Sequence, residues 1–338
     1  MSKDILDIIF YPEEYDDVII NKYLNKYKDY IIHIPTERKT NDENETEKIP
    51  CIFIKNKNSK NILIIFHCNG LDIFEILKSY KIDEIAEENK INILMPEYPG
   101  YSIYKSPLSS EKCLEDSLII YDFILKNIKN ITEKNIYILG RSLGTGPAIY
   151  LSSKRKPAGT FLISPYTTFA AVDYSNNNEE ELKALSNQFR SIDYIDKINN
   201  PLFIIHGKED PLINYNEAIK LYDKCRKDIK KELKLVKDMV HNFGFDFVKY
   251  TIIPSITEFV DKFCPLNKPT NNEKNNNEII IDFDEALYKF PKEILKIFKV
   301  MEVVQISDDN EDNEDYEENN FDEYENRKSA LYGSDDEY

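Results

Sequence analysis

The sequence predicts an α/β fold with a mostly parallel central sheet and helices on both faces of the sheet. Two observations favour this class. Short, continuous apolar runs such as residues 61–66 alternate with longer stretches in which apolar residues recur at helical spacing, as in residues 111–127. Continuous apolar runs are typical of strands that are buried on both faces. Strands that alternate with helices are typical of parallel sheets.

The predicted elements extend from the N-terminus to residue 264. Residues 1–28 are predicted to form an arm packed on the domain, and residues 30–35 an edge strand. Residues 164–201 contain polar turns and one predicted helix, residues 179–189, and are interpreted either as a short lid or as a long connection. Further strands are predicted at residues 50–55, 61–66, 91–95, 136–139, 160–163, 202–205 and 233–236, and further helices at residues 74–88, 111–127, 145–153, 216–225 and 243–263.

The composition changes after the predicted domain of residues 1–264. Residues 265–278 are rich in Pro, Asn and Lys and are predicted to be a linker. Residues 279–306 are partly apolar and are predicted to include a short helix that docks on the domain or binds a partner. Residues 307–338 carry 14 acidic and two basic residues and are predicted to be a disordered acidic tail. The sequence does not identify a partner for this tail.

The charge distribution bears on two kinds of partner, nucleic acids and anionic membranes. Of the net charge of −17, a charge of −12 lies in residues 307–338, and the other 306 residues carry only −5. This balance lacks the basic surface that nucleic-acid binding requires, and it does not favour an anionic membrane surface. No stretch reaches the roughly 18 apolar residues of a membrane-spanning helix, so at most peripheral membrane association is expected.

The five cysteines indicate a reducing compartment. They are dispersed over the chain and form no Cys-x-x-Cys pair, whereas zinc sites and secreted disulfide frameworks show recognisable spacings. Residues 1–20 also lack the basic and apolar regions of a secretory signal. A cytoplasmic protein with no metal and no organic cofactor is therefore expected.

The most informative motif is Gly-Arg-Ser-Leu-Gly at residues 140–144. It lies between a predicted strand and a predicted helix, which is the setting of a nucleophile elbow. The turn is tight, so small residues are needed two positions before and two positions after the serine, and Gly140 and Gly144 meet that need. Ser142 is therefore the candidate nucleophile, at the C-terminal end of a central strand.

A serine nucleophile needs a base, and the chain offers only four histidines. His33 lies in the predicted edge strand and is interpreted as an ordinary polar residue. His67 and His206 each end a predicted strand, and His241 follows the last strand. In proteins with this elbow, the acid follows the serine along the chain and the histidine comes last. Because His241 leaves room for an acid between itself and Ser142, it is the candidate base.

Asp210 is the candidate acid, because it stands just beyond the predicted strand 202–205. Glu209 is the nearest competitor. Asp193 and Asp196 are further alternatives, but they precede that strand. An acid at the C-terminal end of a strand lies at the edge of the sheet where ligands bind.

Two backbone N–H groups are expected to stabilise the oxyanion. Leu143 directly follows the candidate nucleophile, and its N–H lies at the start of a helix, where the helix dipole favours negative charge. The second N–H is expected from the loop after the strand 61–66, and Asn69 is the candidate. His67 in the same loop is interpreted as structural.

These residues resemble the α/β-hydrolase superfamily of serine hydrolases, and more closely the Bem46-like group with the ABHD13 and ABHD17 types of protein. The likeness covers residues 5–264 and is carried by four stretches in the family's order. They are Ile-Ile-Phe-His-Cys-Asn-Gly at residues 64–70, Pro-Glu-Tyr-Pro-Gly-Tyr-Ser at residues 96–102, Leu-Gly-Arg-Ser-Leu-Gly-Thr-Gly-Pro-Ala at residues 139–148, and His-Gly-Lys-Glu-Asp-Pro at residues 206–211 followed by His241-Asn242.

The resemblance implies an α/β-hydrolase fold and hydrolysis of an acyl ester or thioester through an acyl-enzyme. It implies that Ser142 is the nucleophile, His241 the base and then the acid, and Asp210 the group that orients the histidine. It also implies that the Asn69 and Leu143 amides form the oxyanion hole. Some members of this group remove palmitoyl groups from protein cysteines, so an acylated protein is among the implied substrates.

The sequence also departs from the pattern of this group. Cys68 and Ser102 occupy positions where the group has glycine, and Cys68 adds a side chain where the loop approaches the substrate. The depalmitoylating members carry an N-terminal cysteine cluster, whereas the first cysteine here is Cys51. Membrane anchoring by acylation of such a cluster is therefore not expected.

Two other interpretations belong to different classes. The first is a catalytically weak hydrolase fold that serves as an interaction protein through residues 279–338. The second is a peptidase-like hydrolase. The intact set of candidate catalytic residues favours an enzyme over the interaction protein. An enzyme that cuts chains from a free terminus needs groups that capture that terminus, and the sequence identifies none, which favours an esterase or thioesterase over the peptidase.

Removal of residues 307–338 is expected to leave any esterase activity unchanged, because the candidate catalytic residues all precede residue 264. The measurement is kcat/KM for a short ester, compared between the full chain and a chain that ends at Ile306. A complete loss of activity on trimming would contradict this expectation and favour the interaction protein.

Overall fold

Eight strands form one sheet within the part of the chain that the structure, a computed structural model, describes: residues 5–40, 45–173 and 178–264. The predictions for residues 265–338 lie outside these described residues. The strands are β1 (Ile31–Lys39), β2 (Thr46–Ile54), β3 (Ile62–Phe66), β4 (Asn92–Pro96), β5 (Ile136–Arg141), β6 (Gly159–Ile163), β7 (Leu202–Gly207) and β8 (Lys231–Val236). Their order in the sheet is β1-β2-β4-β3-β5-β6-β7-β8.

The sheet is parallel from β4 to β8, and β1 and β2 join it antiparallel at one edge. In the register of the central strands, Phe66 lies beside Gly140, and Arg141 lies beside Ile163. The carboxyl ends of β3, β5 and β6 therefore meet at the same edge of the sheet. The loops after β3, β5, β7 and β8 converge there, which is where ligands bind in open α/β sheets.

Helices cover both faces of the sheet. The helices α5 and α6 pack with one face, and α10 packs on the opposite face against aromatic side chains of β5, β6 and β7. Their bounds are α1 (Ile5–Ile9), α2 (Asp17–Tyr27), α3 (Ile73–Ser79), α4 (Ile82–Glu88), α5 (Ser110–Asn127), α6 (Thr145–Lys154), α7 (Glu179–Leu185), α8 (Asn216–Lys224), α9 (Phe245–Phe247) and α10 (Ile253–Phe263). Among the described residues, every helix is too short or too polar to cross a lipid bilayer.

The single helix predicted over residues 74–88 is instead two helices, α3 and α4. The chain turns at Lys81, whose φ of 46° is left-handed and ends the helical path. The neighbouring Tyr80 side chain lies at the sheet edge, where its hydroxyl accepts a hydrogen bond from Arg141 and donates one to the carbonyl of Phe243. These contacts join residues that are far apart in the sequence and hold the turn in place. Helical spacing within residues 74–88 therefore did not predict it.

The last predicted helix begins two residues later than expected and is not uniform. The helix α9 runs through a π-helical turn, Val248–Ile252, into α10. An inserted residue in such a turn shifts the direction of the side chains that follow. Ile252, Phe259 and Val260 of this segment are buried against the sheet.

The long connection between β6 and β7 packs into the core of the domain. Leu185, Ile195 and Ile198 in this connection are fully buried, and Phe189 contacts Phe10 of the N-terminal arm and Phe169. The connection therefore buries apolar surface against the domain as an integral part of it. The arm is anchored in the same way, since Ile9 and Phe10 are buried.

The two faces of β3 are packed unequally. Ile62, Ile64 and Phe66 point to the face covered by α6 and are fully buried, whereas Leu63 and Ile65 on the opposite face are only partly buried. A central strand of a parallel sheet is normally buried on both faces. One side of the sheet centre is therefore incompletely filled.

This difference predicts unequal costs for truncation of neighbouring residues. Ile64→Ala is expected to lower the free energy of unfolding by about 2–5 kcal/mol, because it leaves a cavity in a filled core. Ile65→Ala is expected to cost less, because its side chain has fewer packing partners. Urea unfolding of both variants tests this, and an equal or larger cost for Ile65→Ala would contradict it.

Candidate active site

Ser142 stands on a sharp turn between β5 and α6. Its φ of 50° lies in the left-handed region, which is unusual for a residue with a side chain. A Cβ atom on Gly144 would lie 2.1 Å from the carbonyl oxygen of Phe66, and one on Gly140 would lie 2.5 Å from the carbonyl oxygen of Gly144. Both glycines are therefore required by close backbone contacts, which hold the serine in its strained conformation.

Three side chains that are distant in the sequence form a hydrogen-bonded line at this sheet edge. The hydroxyl of Ser142 donates to Nε2 of His241 at 2.9 Å. Nδ1–H of His241 donates to Oδ2 of Asp210 at 2.8 Å. The distances and the order of groups suit transfer of a proton from the hydroxyl to the imidazole.

Asp210 is held by the backbone that follows it. Its Oδ1 accepts hydrogen bonds from the N–H groups of Leu212 at 3.0 Å and Ile213 at 2.9 Å, which leaves Oδ2 for His241. Burial acts to raise the pKa of Asp210, but its interactions with His206 and His241 outweigh that effect and bring the pKa below its ordinary value. Asp210 is therefore a carboxylate, and it fixes the orientation of the His241 ring.

His241 is held from its backbone side by Arg141. The buried guanidinium donates to the carbonyl oxygen of His241 at 3.2 Å and lies over the ring of Phe243 at 4.2 Å. Burial lowers the pKa of His241; Asp210 raises it in part, and the positive charge of Arg141 lowers it further. The net effect is a lowered pKa, so the ring is uncharged at neutral pH and can accept a proton.

The structure places the competing histidines in other roles. Nε2–H of His206 donates to the carbonyl oxygen of Ile213 at 2.8 Å. The same Nε2 lies 3.4 Å from Oδ2 of Asp210. His67 contacts Glu97 through Nε2 at 3.2 Å and the carbonyl oxygen of Cys68 through Nδ1 at 2.9 Å. His33 lies on the edge strand β1. Of the competing acids, Asp193 forms an ion pair with Arg190 in the β6–β7 connection, where Asp196 also lies.

The two candidate oxyanion donors lie on adjacent segments. Leu143 begins the first turn after Ser142, where N–H groups have no partner within the helix. The close contact of Gly144 with Phe66 and His67 brings the end of β3 against this turn. The loop that follows carries Asn69, so the two candidate donors lie on neighbouring segments at this edge of the sheet.

The side chain of Asn69 fastens the N-terminal arm to this loop. Its amide donates to the carbonyl oxygen of Ile9 at 2.6 Å, and its Oδ1 accepts from the N–H of Tyr11 at 3.2 Å and from the hydroxyl of Tyr101. The position of the loop therefore depends on the arm. Sequence reasoning chose Asn69 for its backbone and did not find these side-chain contacts.

The two departures from the family pattern have local explanations. Ser102 adopts a φ of 31°, a conformation that glycine enters without strain, and its hydroxyl donates to Glu97. Cys68 is buried, and it faces an apolar cleft beside the sheet. The extra side chain at Cys68 thus points into available space.

Arg141 is the main site residue that sequence reasoning missed. It stands within the elbow motif itself, one position before Ser142. A charged residue at the end of a buried strand was a signal, because a buried charge needs partners. Its partners, Tyr80 and His241, come from loops that the sequence alone did not bring together.

Comparison with known proteins agrees with this fold and these motifs. The model of the prolyl oligopeptidase family matches residues 158–264. Human α/β hydrolase domain-containing protein 17B is 28% identical over 184 residues, which are 54% of this chain and 62% of that protein. An α/β hydrolase of Acanthamoeba polyphaga mimivirus, L404, is 28% identical over 229 residues, which are 66% of this chain and 83% of that protein.

A solved structure shows the same fold. The esterase Pf2001 of Pyrococcus furiosus superposes with a TM-score of 0.52 and 16% sequence identity, covering 75% of this chain and 97% of that one. The match to the human relative spans less than two thirds of its length. The chain therefore has the α/β-hydrolase fold and is similar to proteins of that superfamily, which confirms the predicted fold class and resemblance.

The lowered pKa of His241 predicts the acid limb of the activity profile. Activity requires the neutral ring, so kcat/KM for an ester is expected to fall as pH drops through the pKa of His241, with a midpoint below 6.5, the ordinary pKa of a histidine. Circular dichroism at each pH separates this titration from unfolding. A midpoint at or above 6.5 in folded protein would contradict the burial of His241 described here.

Proposed function

We propose that the protein is a serine hydrolase that cleaves carboxylic esters or thioesters through an acyl-enzyme. The observation that carries this proposal is the hydrogen-bonded line from Ser142 through His241 to Asp210, built on a strained elbow. This line combines a nucleophile, a base and an orienting acid, which is the arrangement that acyl transfer needs.

The first half of the reaction forms the acyl-enzyme. Oγ of Ser142 attacks the acyl carbonyl carbon while its proton passes to Nε2 of His241, and the carbonyl oxygen becomes an oxyanion. The N–H groups of Leu143 and Asn69 stabilise that charge. When the tetrahedral intermediate collapses, the alcohol or thiol leaves with the proton from His241, and the acyl group remains on Ser142.

The second half releases the acid. A water molecule donates its proton to His241 and attacks the acyl carbon. Collapse of the second intermediate returns the proton to Oγ of Ser142 and frees the carboxylic acid. Asp210 stays ionised throughout, because its lowered pKa disfavours protonation, and it stabilises the imidazolium that forms in each half.

The finer proposal is that the leaving group is a thiol on an acylated protein. The resemblance to the ABHD17 type supports this choice, and it rests on relatives that are 28% identical. A peptide acylated on a cysteine thiol and an oxygen ester with the same acyl chain distinguish a thioesterase from a carboxylesterase.

A peptidase is the second candidate, because the model of the prolyl oligopeptidase family matches the region that carries Asp210 and His241. The same catalytic line attacks an amide if the site binds a peptide. Hydrolysis of a panel of peptide nitroanilides at a rate that matches or exceeds ester hydrolysis would favour this candidate.

Covalent labelling by a fluorophosphonate is expected for the purified protein and is expected to vanish in Ser142→Ala. An activated serine attacks the phosphorus, whereas an ordinary serine does not. His241→Ala is expected to lose labelling as well, because the base is gone. In-gel fluorescence measures the labelling, and circular dichroism confirms that each variant is folded.

Ser153→Ala is the matched control for this experiment. Ser153 lies in the last turn of α6, and its hydroxyl donates to the carbonyl oxygen of Tyr150. Labelling is expected to survive this change. Absence of labelling in the folded wild-type protein would refute the proposed function and leave the interaction protein as the leading interpretation.

A further inference from the structure

A cleft of about 250 Å³ lies on the α10 face of the sheet, where β3 and β5 are incompletely covered. Leu63 and Ile65 of β3 and Leu139 of β5 form its floor. Isoleucines of α4 form one wall, and residues of α9–α10 and the π-helical turn between them form the other. We refer to this space as the β3–β5 cleft.

The lining of the β3–β5 cleft is almost entirely apolar along its length. The three floor residues remain partly exposed although they lie in central strands. Polar side chains line both ends of the cleft: His67, Tyr80 and Arg141 near the candidate active site, and Asn89, Thr257 and Asp261 away from it. An apolar channel with a polar boundary fits a hydrocarbon chain of limited length, because hydrocarbon gains by leaving water and carries no polar groups that need partners.

The upper end of the cleft lies next to the candidate active site. Cys68, Arg141 and Phe243 line this end. Cys68 directly precedes the candidate oxyanion residue Asn69, Arg141 directly precedes Ser142, and Phe243 follows His241 by two positions. The β3–β5 cleft thus begins within one or two chain positions of the candidate nucleophile, base and oxyanion donor.

Arg141 shapes this end of the cleft. Its guanidinium is held by the Tyr80 hydroxyl and the His241 carbonyl oxygen and stacks against Phe243, and Cys68 lines the same end of the cleft. The side chain at Cys68, where related proteins carry glycine, therefore contributes to the wall of the cleft.

We propose that the β3–β5 cleft binds the hydrocarbon chain of the acyl group that is transferred to Ser142; this rests on the proposed acyl hydrolysis. The chain leaves the carbonyl beside Cys68 and Phe243 and extends over the floor residues toward Asp261. An apolar cavity of about 150 Å³ accommodates benzene, so by proportion this cleft accommodates on the order of ten carbons. The substrates are unbranched acyl groups of medium length.

A series of p-nitrophenyl esters with acyl chains from acetyl to dodecanoyl tests this proposal. For the wild-type protein, kcat/KM is expected to rise about three- to fourfold with each added methylene. The rise is expected to stop at about eight to ten carbons, where the chain fills the cleft.

Leu63→Phe provides the decisive variant, because a larger side chain in the lower floor shortens the cleft far from Ser142. It is expected to lower kcat/KM for the decanoyl ester about tenfold or more and to leave the acetyl ester unchanged. Leu182→Phe is the matched control, since Leu182 is exposed on α7 outside the cleft. The same profile in Leu63→Phe and wild type would overturn the proposal.

Binding without catalysis separates failure of the cleft from failure of the proposed function. Calorimetry with decanoic acid is expected to show binding to Ser142→Ala and loss of binding on adding Leu63→Phe. Ester hydrolysis that depends on Ser142 but not on chain length overturns the cleft alone. Absence of both hydrolysis and serine labelling refutes the proposed function. If decanoic acid binding is also unaffected by Leu63→Phe, the proposal that the cleft binds the acyl chain is overturned as well.

Discussion

The candidate site depends on one close approach, the contact of the elbow with the end of β3. Gly144 lies so near the carbonyl oxygens of Phe66 and His67 that no other residue fits there. This contact fixes the serine turn against the loop that carries Asn69. It also aligns the ends of β3 and β5, so the nucleophile and both candidate oxyanion donors lie on two segments that are in direct contact. The side chains of Asp210 and His241 reach Ser142 from the loops after β7 and β8.

The histidine loop is attached by two opposite charges. Asp210 holds the ring of His241 from one side, and Arg141 holds its backbone from the other. The two charges act on the pKa of His241 in opposite directions, and burial decides the outcome. The result is a ring that is oriented by a carboxylate and yet stays neutral at neutral pH. A carboxylate alone would hold the ring equally well but would raise its proton affinity.

Part of this arrangement was predictable because parallel strands impose it. Ser142, Asp210 and His241 each follow a strand, and the carboxyl ends of parallel strands meet at one edge. The strand pattern and the elbow motif therefore predict that the three side chains lie together. The fold class was equally accessible, since buried strands and amphipathic helices leave distinct periodicities.

The remainder depended on contacts that a linear pattern does not contain. The break between α3 and α4 is set by Tyr80, whose partners lie 61 and 163 residues away. The role of Arg141 and the attachment of the arm through Asn69 arise in the same way. The β3–β5 cleft was also hidden, because Leu63 and Ile65 look like core residues in sequence and only the spacing of the helices leaves them uncovered.

The left-handed backbone of Ser142 has a consequence for how this protein responds to selection. A residue with a side chain in that region costs about 1–3 kcal/mol, and glycine would relieve most of that strain. Selection of variants for thermal stability alone therefore favours loss of the nucleophile. Stability and catalysis therefore place opposite demands on the backbone φ of this residue. A library of variants screened for stability without an activity assay is expected to yield more stable proteins that lack activity.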